Sequence, residues 1–243
     1  ITSLASSDYV KYAHDHNVEV WGMVKNFDLD SSSIDVNYIL THTSSRQNLV
    51  KQLVAQAYQY NLDGLNIDFE SLDESIIGDA YIQFLRELSI ECEKFDLLLS
   101  TAVHIPASFN RVYKYHEQVD FVDYICIMTY DQHWGQASGE GSVAALDWVE
   151  ESIKNTFAEG VPADQLLLGV PFYTKLWKLT PTSEANSAEV TYIIGFENLG
   201  LTSAKNWMKN NISTPTWDEK IAQYYGETVK NGTTYKMWLE DEE

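Results

Sequence analysis

Apolar residues recur along this chain at two spacings, and the alternation between them predicts its elements. Between residues 44 and 59 they fall at Leu49, Leu53, Val54, Ala57 and Tyr58, the steps of one helix face. Leu85, Leu88 and Cys92 repeat that step in a second helix over 81–94. A shorter helix over 9–16 opens behind Ser6-Ser7-Asp8, side chains suited to an N-cap. Further helices are predicted over 142–159 and 201–210. Between them lie short apolar runs, read as strands over 1–4, 18–24, 65–70, 97–103, 121–130 and 166–172. Strand, loop and helix repeated in this way form a parallel α/β fold.

Polar residues collect where these strands end: Asn26, Glu70, His104, Asp131 and Tyr173. Both a barrel and a doubly wound sheet place their sites there. No Gly-rich nucleotide loop follows any strand, which favours the barrel. The rhythm changes from about Trp177. A loop over 180–188 leads to the 201–210 helix, then to strands over 214–218, 221–225 and 233–239. Asn231-Gly232 joins the last two as a hairpin turn.

The 65–70 strand carries the sharpest chemical signal. Leu65, Ile67 and Phe69 lie on one side; Gly64, Asn66, Asp68 and Glu70 lie on the other. The flanking pattern predicts burial on both sides, and buried acids need partners or a task. Two neighbouring desolvated carboxyls share a proton at least cost, which raises one pKa. An acid kept protonated near neutrality suits general-acid catalysis. Glu70 reaches furthest into a pocket at the strand ends, with Asp68 behind it. Asp63 is read as structural, fixing a turn with Gly64. A helix cap or a surface ion pair is the competing explanation for these acids.

Composition narrows the partners. The 243 residues carry a net charge of −20, which argues against binding nucleic-acid phosphates or an anionic membrane surface. No apolar run reaches the ~18 residues of a membrane span. Cys92 and Cys126 are read as small core residues, and the redox compartment stays open. The six histidines form no helical metal pair, so neither a metal nor a cofactor is expected, although His133 can line a pocket. No serine sits in a G-x-S-x-G elbow. Trp134, Trp177 and Trp238 are candidates to stack on sugar faces or to pack in the core.

Asp63-Gly64-x-Asn66-x-Asp68-x-Glu70 resembles the D-G-x-D-x-D-x-E signature of glycoside hydrolase family eighteen, the chitinase-like TIM barrels. Ile127-Met128-Thr129-Tyr130-Asp131 is similar to that family's M-x-Y-D strand end, and Leu168-Gly169-Val170-Pro171-Phe172-Tyr173 to its G-x-P-F-Y strand. The likeness leans to the bacterial branch acting on spore and cell-wall glycan. It implies a TIM (β/α)8 barrel lacking its first and last strands in this chain, with exposed apolar edges. Residues 1–175 would be the partial catalytic barrel, 176–239 a small α+β insertion domain, and 240–243 the start of the return to the barrel.

The resemblance implies hydrolysis of β-1,4 bonds next to N-acetylglucosamine, in peptidoglycan or chitin, by a retaining, substrate-assisted route. Glu70 would protonate the leaving oxygen, Asp68 would orient the acetamido N–H, and Tyr130 would hydrogen-bond the acetamido oxygen. Asp131, Met128, Asn66, Trp134 and Tyr173 would bind substrate. The partner implied is an N-acetylglucosamine-containing polysaccharide, outside the cell or at the cell wall or spore. Oligomeric state stays open. Asn66 departs from the family's first acid, and its amide is expected to pair with Asp68. Activity is expected to survive with a different pH profile. A lectin-like, non-catalytic member of the same fold is the main rival, opposed by the presence of Glu70. A metal-dependent aldolase barrel would need a lysine or metal ligands at strand ends.

Overall fold

The computed structural model describes residues 4–26, 35–70, 72–108, 110–182 and 192–241. Residues 1–3 of the predicted 1–4 strand and most of the 180–188 loop lie outside them. The elements run α1 (Ser7–Asp15), β1 (Trp21–Lys25), α2 (Val36–Thr41), α3 (Thr43–Tyr60), β2 (Gly64–Asp68), α4 (Glu74–Ile77), α5 (Ala80–Glu93) and β3 (Leu98–Val103). They continue with α6 (Tyr115–Gln118), β4 (Tyr124–Met128), α7 (Leu146–Ala158), β5 (Leu166–Gly169), β6 (Tyr173–Pro181) and β7 (Tyr192–Gly200). The last are α8 (Leu201–Asn211), β8 (Thr216–Asp218), β9 (Gln223–Lys230) and β10 (Thr233–Leu239). The chain divides into two units: residues 1–128 with 155–168, and residues 129–154 with 169–243.

The first unit is built on a five-stranded sheet in the order β1-β2-β3-β4-β5, with parallel pairing from β1 through β4. The order never reverses, so the sheet has no switch point of the doubly wound kind, and the strands progress as in a TIM-type barrel. Leu65, Ile67 and Phe69 of the β2 segment are buried, as are Leu53, Val54 and Ala57 of α3 and Phe84, Leu85 and Leu88 of α5. Phe69 stacks on Phe84 with ring centroids 5.6 Å apart. The α3 core face is Val50, Leu53, Val54 and Ala57. Tyr58, expected on it, is 74% exposed, because a residue one step past Ala57 turns off the buried stripe. Ser6 caps α1 as its sequence suggests, accepting from the Tyr9 N–H. The loop expected between β2 and α5 contains the single turn α4, capped by Asp73. The edge strands carry exposed apolar side chains: Met23 on β1, and Leu167 and Leu168 on β5.

Asp63 and Gly64 play roles other than a reversing turn. The Asp63 carboxylate accepts from the Val20 N–H at 2.6 Å and faces His14 Nε2 at 2.8 Å, while its C=O accepts from the Leu98 N–H. It therefore ties α1, the approach to β1 and the start of β3 to β2. Gly64 is the first strand residue. A Cβ there would sit 2.7 Å from the Leu98 carbonyl oxygen, so the glycine serves the close approach of two strands.

The second unit is an antiparallel sheet in the order β7-β6-β10-β9-β8. Leu176, Ala204, Met208, Ile212, Met237 and Leu239 form its core, which joins α8 to the β6 and β10 strands. The β9–β10 hairpin turns through Asn231 and Gly232, with φ of 50° and 81°, as the Asn-Gly pair predicts. Two strands differ from expectation. The run from Tyr173 to Pro181 is one nine-residue strand, and Tyr192 to Gly200 is another. Buried Thr174 and Lys175 interrupt the apolar pattern of β6, and β7 is mostly exposed, so neither shows a clean alternation. Among the described residues no helix is long and apolar enough to cross a membrane.

Candidate active site

In the first unit the candidate chemistry lies where β1, β2 and β3 end. β2 stops its ladder at Asp68, and Phe69 and Glu70 continue past it. Asp68 is 8% exposed, and its Oδ1 is buried without a hydrogen-bond partner among the described groups. Burial raises the Asp68 pKa first, and the neighbouring Glu70 charge adds to it; His104 and Lys25 pull the other way. The Asp68 carboxyl is thus held above the ordinary carboxylate range.

Glu70 is half-buried, and its Oε2 lies 3.8 Å from His104 Nε2. The peptide beside it is held by side chains. Tyr113 Oη donates to the Phe69 carbonyl at 3.0 Å. Asn26 Oδ1 accepts from the Glu70 N–H at 2.9 Å, and Asn26 Nδ2 donates to the Glu70 carbonyl at 2.6 Å. Tyr115 Oη donates to the His104 carbonyl at 2.7 Å, fixing the backbone that carries that imidazole. Asn66 does not pair with Asp68. Its amide donates to Ser100 Oγ at 2.8 Å, a partner that the alternation on β3 turns toward it across the β2–β3 register. Met128 is half-buried at the end of β4.

In the second unit a different cluster surrounds Asp131. This residue has a left-handed backbone, φ 58°. Its Oδ1 accepts from Tyr173 Oη at 2.7 Å and from the Lys175 ammonium. Lys175 is buried; Nζ also donates to the His133 carbonyl at 3.0 Å and sits 5.1 Å from the Phe196 ring centre. Burial and the Asp131 carboxylate both push the Tyr173 phenol upward in pKa, so it stays a donor. Asp131 and Tyr173, candidates from two separate motifs, are therefore in contact. Lys175 belongs to neither motif, although a lysine inside an apolar strand is a signal in itself, since a buried ammonium needs a partner.

Thr129, buried before Tyr130, donates its N–H and its hydroxyl to the Gly169 carbonyl, at 3.2 and 2.7 Å. Tyr130 is half-buried. Of the tryptophans, Trp134 is 58% exposed and offers a ring face. Trp177 does not: it is fully buried, and its Nε1 donates to the Gly141 carbonyl at 2.8 Å. Trp238 packs against Tyr225, ring centres 4.8 Å apart. His133 lies against Gly141, where a Cβ would collide with its ring at 2.4 Å.

Comparison with known proteins covers nearly the same span. The family described as Glycosyl hydrolases family 18 matches residues 21–242. The uncharacterized glycosylase YvbX of Bacillus subtilis (strain 168) is 22% identical over 252 aligned residues, covering 98% of this chain and 68% of that protein. The cortical fragment-lytic enzyme of the same organism is 24% identical, covering 93% of this chain and 52% of its own length. The chain thus spans about half of that enzyme. A chitinase crystal structure from Chromobacterium violaceum ATCC 12472 shares the fold, with a TM-score of 0.80 at 22% identity, over 98% of this chain and 73% of that one.

Proposed function

Because the chain belongs to the glycosyl hydrolases of family 18, we propose that it cleaves β-1,4 bonds next to N-acetylglucosamine in peptidoglycan or chitin, with the substrate's own 2-acetamido group as nucleophile. The observation that supports this reading best is the buried Asp68 oxygen without a donor. A buried carboxylate oxygen is costly to leave unpaired, and an acetamido N–H is a donor of suitable chemistry.

Glu70 gives its proton to the glycosidic oxygen as the C1–O bond breaks. The acetamido carbonyl oxygen bonds to C1 and forms a cyclic oxazolinium ion. Asp68 holds the acetamido N–H and stabilises the positive charge that develops on it. Water then attacks C1 and loses a proton to Glu70, which restores the acid. Two displacements at C1 retain its configuration. By likeness to the family motifs, Tyr130 binds the acetamido oxygen. Asp131, Met128, Asn66, Trp134 and Tyr173 contact the sugars. We read the parallel sheet as part of a (β/α)8 barrel, with residues 1–175 as its catalytic part and 176–239 as an inserted α+β domain. A cell-wall or spore setting is supported by relatives named as a sporulation-specific glycosylase and a spore cortex-lytic enzyme.

The test is turnover of an N-acetylglucosamine tetramer and of purified peptidoglycan by the wild-type protein and by Glu70→Gln. Loss of a general acid is expected to cost about 10²–10⁴-fold in kcat with the melting temperature kept. Binding of either glycan without cleavage by the wild type would make the protein lectin-like instead.

A further inference from the structure

Glu70 lies beyond the last paired residue of β2, so among the described residues no neighbouring strand pairs with its peptide groups. A catalytic carboxyl placed there needs another means of support, since backbone rotation at its Cα carries the carboxyl through several ångströms. Asn26, just past the end of β1, is 8% exposed. Its side-chain amide makes both hydrogen bonds that a paired backbone would have made, accepting from the Glu70 N–H and donating to the Glu70 carbonyl. Tyr113 takes the Phe69 carbonyl, the other end of the same peptide plane. The 69–70 peptide is therefore pinned at its oxygen and at its nitrogen by two side chains, and Asn26 pins the next carbonyl as well.

We propose that Asn26 is the positioning residue of the acid: its amide substitutes for a missing strand and sets the direction of the Glu70 side chain. The inference rests on the hydrolytic reading above. An amide side chain is needed because it presents one donor and one acceptor side by side. Aspartate keeps the acceptor and loses the donor. Alanine leaves a peptide N–H and a carbonyl unpaired by that side chain, in a partly buried site. Both polar atoms of the Asn26 side chain are engaged with the Glu70 backbone, so its effect on the chemistry passes through Glu70.

The test compares wild type, Asn26→Ala and Asn26→Asp on the N-acetylglucosamine tetramer, with hydrogen exchange at the Glu70 amide read by NMR on the same samples. A misplacement of about 1 Å can cost about 100-fold in rate. The expected result is a kcat lower by about that factor in both variants, a KM within about twofold of wild type, and faster Glu70 amide exchange. Protection at amides of β2 itself is expected to be kept, which separates a local release from unfolding. Wild-type kcat in both variants, or an unchanged Glu70 exchange rate in Asn26→Ala, overturns the proposal while leaving the hydrolytic reading in place. A wild type that turns over neither the tetramer nor peptidoglycan removes the hydrolytic reading, and the positioning role with it. If the variants lose protection throughout β2, Asn26 is a stability residue and the proposal is wrong.

Discussion

Asp68 and Glu240 are buried to the same extent, 8% exposed each, and burial raises the pKa of both. Their surroundings differ. Glu240, in the antiparallel unit, has its Oε1 met by the Ala144 N–H at 3.0 Å and by the Ser142 hydroxyl at 3.3 Å, and these bonds hold its pKa down to about 7. Its own N–H donates to Thr174 Oγ1. Asp68, in the parallel unit, has one oxygen without a partner and a second carboxyl, Glu70, that pushes its pKa further up. The first acid closes a set of bonds within its unit. The second leaves a bond open, which is costly for stability and useful for a ligand. Equal burial therefore says little about what a carboxyl is for; the state of its lone pairs says more.

The largest expected difference comes from neutralising each acid in place. Asp68→Asn is expected to lower kcat on the N-acetylglucosamine tetramer by at least about 100-fold, since an amide cannot stabilise the developing positive charge. Its stability is expected to hold or rise. Glu240→Gln is expected to leave kcat unchanged. Equal kinetic losses in the two variants would erase the distinction.

The next effect is on stability against pH. The Glu240 pKa in the folded protein is raised from 4.5 to about 7, so the folded state holds its proton more tightly than the unfolded chain does. The stability gained from that proton is full below about pH 4.5 and is lost as pH rises through about 7, a loss of about 3 kcal/mol at most. Chemical denaturation across this range should show that decline in the wild type and a flatter curve in Glu240→Gln. A wild-type curve that climbs over the same interval would contradict the assignment.

A smaller change tests another acid of the second unit, Asp131. Lys175→Met removes the buried ammonium from Asp131, whose own side chain is about half exposed and stays solvated. The expected stability loss is about 1 kcal/mol by denaturant melting, well below the 3–5 kcal/mol of a fully buried pair. The smallest effect belongs to Asn66→Asp. An added carboxyl on the Asp68 side of β2 should move the acid limb of the pH–rate profile upward by less than about one unit, with kcat at its optimum retained. An unmoved limb, or a downward move, would show that the two positions are not coupled by charge.

Local signals are legible in the amino-acid sequence. The apolar steps of α3 and α5, the Asn-Gly hairpin and the two-sided burial of the β2 segment all follow from neighbours within a few residues. Pairings between distant residues are not legible there. Asn26 with Glu70, Tyr113 with Phe69, and Lys175 with Asp131 each span 44 residues, beyond any periodicity window. The same limit explains Gly64, whose need for no side chain is set by the Leu98 carbonyl across the sheet and not by the turn chemistry of Asp63-Gly64. It explains Trp177 also: an aromatic in an ill-patterned strand reads equally as core or as a sugar platform until its Nε1 is seen to reach Gly141.

The substrate's acetamido group is the centre of the proposed mechanism, and one pair of substrates isolates it. The wild-type protein is given the N-acetylglucosamine tetramer and the matching glucosamine tetramer, with proton NMR following the anomer first released. The expected result is cleavage of the acetylated tetramer alone, with the β-anomer appearing first. Comparable cleavage of the glucosamine tetramer, or first release of the α-anomer, would contradict the assisted mechanism and the role given to Asp68.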